Sequence, residues 1–83
     1  MIDVARQVTR IIAEETSRKE EDISRESSLS NDLGMNSDAL LDLGLSLEDH
    51  FGIEITLADA ARVLIALSTV QDVIDLIVQK TPR

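Results

Sequence analysis

Cysteine is absent from the 83 residues, which excludes disulfide staples, thiolate metal sites and a cysteine nucleophile, so the chain must hold together by packing. Tryptophan and tyrosine are missing too, and Phe51 is the sole aromatic residue; the core must be aliphatic. The three glycines, Gly34, Gly44 and Gly52, are scattered and form no phosphate-cradling loop. Positive charge is scarce, with 8 Lys and Arg against 16 Asp and Glu, a net charge of -8. That field repels nucleic-acid phosphates and anionic lipid and favours partners with basic surfaces. The longest uninterrupted apolar run, Val63 to Leu67, is far too short to span a bilayer, and Met1-Ile2-Asp3 lacks the basic-then-apolar order of a secretion signal. The expectation is a cytoplasmic protein that does not insert into membranes. One histidine, and acids without the alternating oxygen-ligand pattern of a calcium loop, predict no metal site. At this length the chain is one domain, residues 1–83, around one modest core.

What is present is helical periodicity. Val4, Val8, Ile11 and Ile12 share one face and predict a first helix over Asp3 to Glu15, capped by Asp3. From Thr16 to Asn36 the period fades into a polar segment punctuated by Ile23, Leu29, Leu33 and Met35, read as a long loop pinned across the core. Gly34 followed by Asn36-Ser37-Asp38 is a helix start, with two good N-caps and an acid in the first turn. The second helix is predicted from Ser37 or Asp38 to Phe51 and ends at Gly52. On its wheel Leu40, Leu43, Gly44, Leu47 and Phe51 face inward, while Asp38, Asp42, Leu45 and Asp49 face outward, with Leu41 and Glu48 at the border. Ile53-Glu54-Ile55 is an extended link. A third helix is expected over Thr56 to Leu67, capped by Thr56 or Asp59, and a fourth capped by Ser68 and carrying Val70, Val73, Ile74 and Ile77. The fold class is a small all-α four-helix bundle with a long loop between helices one and two.

No catalytic constellation appears. His50 is the only possible histidine base, and Ser37 lies thirteen residues upstream on the same helix, several turns away along its axis. His50 reads as an exposed residue near a helix C-terminus. Ser37 remains as a hydroxyl at the junction of a long loop and an acidic helix. Plain N-capping accounts for it; so does a covalently held phosphate, which a helix N-terminus stabilises.

At Asp32-Leu33-Gly34-Met35-Asn36-Ser37-Asp38 the sequence resembles the acyl carrier protein family, whose signature is Asp-Leu-Gly-x-Asp-Ser-Leu before an acidic helix ending in Phe. The resemblance runs through Ile11-Ile12-Ala13-Glu14, Ile23, Leu29, Leu47-Glu48-Asp49-His50-Phe51-Gly52-Ile53-Glu54-Ile55 and Thr69-Val70-Gln71-Asp72-Val73. It implies a fold of the acyl-carrier type and a non-enzymatic carrier. Ser37 would bear covalent 4′-phosphopantetheine, flanked by Asn36 and Asp38 and installed by a holo-acyl-carrier synthase using coenzyme A. Acyl groups would ride on the arm as thioesters. Asp42, Glu48 and Asp49, with Leu41 and Leu45, would dock a monomeric carrier to acyl-transferring and acyl-modifying enzymes with basic surfaces. Leu40, Leu43, Gly44, Leu47, Phe51, Val70 and Ile74 would line an acyl pocket; the mid-helix Gly44 either widens it or lets another helix approach closely.

Three departures from the family pattern stand out. Asn36 replaces the usual aspartate, Asp38 replaces the usual leucine, and the interval from Ile55 to Thr69 is about one helical turn longer, which predicts a more regular third helix. Together they point to a specialised member of a fatty-acid, lipid or polyketide pathway. The alternative is a carrier-fold protein that stays unmodified and acts as a protein-interaction module.

Overall fold

The computed structural model describes residues 3–65 and 68–81, with the backbone alone given for 63–65. Four helical elements appear among them. The first, α1 (Val4–Thr16), starts where the Asp3 carboxylate accepts the Arg6 N–H at 3.2 Å and ends on Ser17 in the left-handed region, φ 55°. The second, α2 (Ser37–Phe51), ends on Gly52 at φ 64°, whose N–H donates to the Glu48 carbonyl. A short α3 (Leu57–Asp59) runs directly into a π-helical segment, Ala60–Ile65. The last, α4 (Val70–Lys80), gives out at Thr81. A 3-10 turn, Glu20–Asp22, interrupts the loop between α1 and α2.

The apolar stripes of α1, α2 and α4 meet in one aliphatic core built on Val8, Ile12, Leu43, Leu47, Val73 and Ile77, all fully buried. Each such side chain contributes about 1.5–3 kcal/mol by leaving water. Polar contacts hold α1 beside α2: the Ser46 hydroxyl donates to Glu15 Oε1 at 2.8 Å, and His50 Nε2 pairs with Gln7 Oε1 at 2.6 Å. His50 is exposed in the last turn of α2, its ring edge against Phe51.

The long loop is pinned as the apolar punctuation predicts. Ile23, Leu29, Leu33 and Met35 are all buried in the core. Its backbone also lies along the start of α4. Leu29 N–H donates to the Ser68 carbonyl at 2.9 Å, Val70 N–H to Ser27 at 3.0 Å and Gln71 N–H to Arg25 at 2.9 Å. Loop carbonyls thus satisfy N–H groups that a helix start otherwise leaves without partners.

Two expectations need correction. The cap of α4 is Thr69, not Ser68: Thr69 Oγ1 accepts the Asp72 N–H and the Asp72 carboxylate accepts the Thr69 N–H, a reciprocal capping box. Ser68 is instead buried, its hydroxyl reaching the Arg62 carbonyl at 3.4 Å. The third helix is less regular than predicted, one α turn and then the wider π form, and residues 66 and 67 of its expected span lie outside the described residues. Its two ends are fixed independently. A Thr56–Asp59 capping box holds one, and the Ser68 bonds to Arg62 and Leu29 hold the other. Surplus residues between fixed ends are absorbed by widening the turn from i→i+4 to i→i+5.

Candidate functional site

The turn before α2 is built to present its first residues. Asp32 Oδ2 accepts the Ser28 N–H at 2.7 Å and the Ser28 hydroxyl accepts the Asn31 N–H at 3.2 Å, closing a tight side-chain-to-backbone turn. Leu33 and Met35 plug into the core on either side of Gly34. Gly34 sits at φ +66°, and a Cβ built on it meets nothing within 4 Å. Backbone conformation, and not lack of room, requires glycine there. The Met35 N–H then donates to the Leu29 carbonyl at 2.9 Å, delivering the chain to Asn36 in an extended conformation.

Asn36, not Ser37, caps α2. Its Oδ1 accepts the Ala39 N–H at 2.8 Å, and its carbonyl accepts the Leu40 N–H at 2.9 Å. Ser37 is therefore the first helical residue and is exposed. Among the described residues no hydrogen bond engages its hydroxyl, and none takes the N–H groups of Ser37 or Asp38. The start of α4 differs, because loop carbonyls occupy the corresponding donors there. A free hydroxyl beside two free donors at the positive end of a fifteen-residue helix suits an anion held covalently at that oxygen.

Beyond Ser37, the exposed side of α2 carries Asp38, Asp42 and Asp49 around Leu41 and Leu45, which are 48% and 63% exposed. Glu48 is different. It is half-buried and its Oε2 accepts the Ile55 N–H at 2.9 Å, so it ties the link after Gly52 back onto α2. All the net charge gathers here. Eight acids and no Lys or Arg lie between Glu26 and Ala61, while the other 47 residues carry eight charges of each sign.

The inward side brings Leu40, Leu43, Gly44 and Leu47 of α2 together with Val70 and Ile74 of α4 in the core, all buried, and places Phe51 half-buried at its edge. Two roles in the site were left undecided by the sequence. The capping role of Asn36 was masked by the adjacent serine, an equally good cap. The tie of Glu48 to Ile55 spans the Gly52 turn, and only the Gly-x-Ile-x-Ile link hinted that its N–H groups needed acceptors.

Ser37 and His50 lie at opposite ends of α2, about 20 Å apart along its axis, so they form no nucleophile–base pair. Among the described residues no group of His, Asp or Glu side chains is placed to hold a metal ion, and no helix is long and apolar enough to cross a membrane. What this fold and this helix start define is a carrier domain. A family model described as a phosphopantetheine attachment site matches residues 6–77, and the chain belongs to that family. The cofactor of that family is covalent 4′-phosphopantetheine. Among solved structures it is similar to the apo doublet acyl carrier protein from prodigiosin biosynthesis, with a TM-score of 0.77 and 28% identity over 96% of this chain. The match spans 37% of that longer chain. The four-helix fold is thus the acyl carrier fold.

Proposed function

We infer that the chain is an acyl carrier domain whose Ser37 Oγ bears the 4′-phosphopantetheine arm. It delivers acyl thioesters to enzymes of a specialised fatty-acid, lipid or polyketide pathway, as a monomer in the cytoplasm. One observation carries this reading: Asn36 does the capping, which leaves the Ser37 hydroxyl and the neighbouring N–H groups free at an exposed helix start. The arm supplies a thiol to a chain that has none. The protein's own residues do the rest. The α2 terminus receives the phosphodiester charge, and the exposed acids of α2 draw in basic partner surfaces, raising encounter rates more than final affinity. Leu45 and Leu41 supply the apolar centre of the docking face. A core of interchangeable aliphatic side chains offers the acyl chain a place between α2 and α4 at little polar cost.

The test is the intact mass of protein isolated from its native cell. A mass increment of one phosphopantetheine, bare or acylated, that disappears in Ser37→Ala is the expected result. Ser37 found bare in every preparation turns the assignment to the interaction-module alternative.

A further inference from the structure

Asp38 is exposed at the second position of α2, directly after the serine and without a hydrogen-bond partner among the described residues. It also begins the outward stripe of the helix. Leu41 and Asp42 lie three and four residues on, and Leu45 seven, so these side chains stack along one face within two turns. From Ser37 to Leu45 is about 12 Å along the axis, less than the width of a small docking surface. Any enzyme that reaches the serine oxygen and covers Leu41 and Leu45 therefore also covers Asp38. Covering a carboxylate without giving it a partner is costly, whereas pairing it recovers that loss. Asn36 beside it turns its Oδ1 to the Ala39 N–H, and no bond from its Nδ2 to Asp38 forms among the described residues.

We propose that Asp38 is a specificity determinant for the enzyme that loads Ser37: that enzyme must place a Lys or Arg opposite Asp38, and one that offers an apolar surface there is rejected. The proposal rests on the carrier reading above. Loading joins the serine oxygen to the pantetheine-bearing phosphorus of coenzyme A and breaks that phosphorus's bond to the bridging oxygen. Adenosine 3′,5′-bisphosphate leaves and the hydroxyl proton is released. Asp38 takes no part in the bond changes; it selects the partner.

The experiment follows mass gain over time with coenzyme A for the wild type, Asp38→Asn and Asp38→Leu. Each is offered to the phosphopantetheinyl transferase purified from the native cell and to a broad-specificity transferase whose docking surface is apolar. Circular dichroism confirms that the variants fold. The expected pattern is a crossing: Asp38→Leu is loaded about ten-fold faster than wild type by the broad enzyme and about ten-fold slower by the native one, with Asp38→Asn between. Rates within about two-fold across all three proteins overturn the proposal. So does a gain for Asp38→Leu with both enzymes, which would make the aspartate a mere obstacle to phosphate. If neither enzyme adds mass and native protein is also bare at Ser37, the carrier reading itself falls, and this inference with it.

Discussion

Replacing Asn36 by alanine separates two jobs that adjacent residues divide between them. The side-chain oxygen lost is the acceptor of the Ala39 N–H at 2.8 Å. No other residue in the described turn is positioned to replace it, although water reaches the exposed site. Loss of such a cap costs about 1 kcal/mol, within a range of about 0.5–2, which for a domain of this size lowers Tm by about 4–8 °C. Asn36→Asp keeps an acceptor and adds a charge favoured at a helix start, so it should match or exceed wild-type stability by about 0.3–1 kcal/mol. Ser37→Ala should stay within about 0.5 kcal/mol of wild type, since its hydroxyl holds nothing and alanine is the better helix former. Urea and thermal unfolding of the unloaded proteins, followed by circular dichroism, measure all three. The reasoning is refuted if Ser37→Ala is as damaging as Asn36→Ala, for then the serine is the cap and its hydroxyl is not free. An unaffected Asn36→Ala refutes it equally.

Three further outcomes follow from contacts elsewhere. The Asp59 carboxylate pairs with Lys80 and accepts from Thr56, and the Lys80 bond chiefly holds its pKa below the ordinary 3.8, at about 2. Because the folded value is depressed, this stabilisation is fully present above pH 3.8 and fades as pH falls towards about 2. The urea midpoint of Lys80→Met should therefore lie below wild type at pH 5 and converge with it near pH 2; a constant gap would exclude the ion pair as the cause. Glu48→Ala should cost about 1–3 kcal/mol by leaving the part-buried Ile55 N–H without its acceptor. Glu48→Gln should keep most of that stability and slow partner association at low salt, a split that combined unfolding and stopped-flow measurements resolve. Leu43→Ala, at a fully buried position, should lose about 2–5 kcal/mol, and a loss under about 1 kcal/mol by urea unfolding would show that the core is not packed as described.

Much of the fold was legible because apolar spacing and end signals agreed. Val8 and Ile12, Leu40, Leu43 and Leu47, and Val73, Ile74 and Ile77 each mark a buried stripe, while Asp3 starts α1 as its cap and Gly52 stops α2 in a left-handed turn. The loop was legible from Ile23, Leu29, Leu33 and Met35, which have no period and yet recur too regularly for a solvated strand of chain. Competition between equals was not legible. Asn36 and Ser37, or Ser68 and Thr69, are all good caps, and the choice falls to whichever side chain the incoming backbone leaves within reach. The π form of Ala60–Ile65 was hidden for a related reason: its sequence is apolar on nearly every side, so no stripe distinguishes one winding from another. The aspartates of α2 could be read as a face, but a carboxylate tied to a backbone N–H seven residues away looks the same in sequence as one waiting in solvent.

The strapping of the loop to the opening of α4 has a mechanical corollary. Three backbone bonds reaching from Arg25, Ser27 and Leu29 to the stretch Ser68–Gln71 mean that the segment leading into Ser37 is moored to the opening of α4 as well as to its neighbours. Fraying of α4 should loosen the approach to the serine before it disturbs the pairing of α1 with α2. Damage to the start of α4 should thus blunt an enzyme's grip on a residue more than thirty positions upstream.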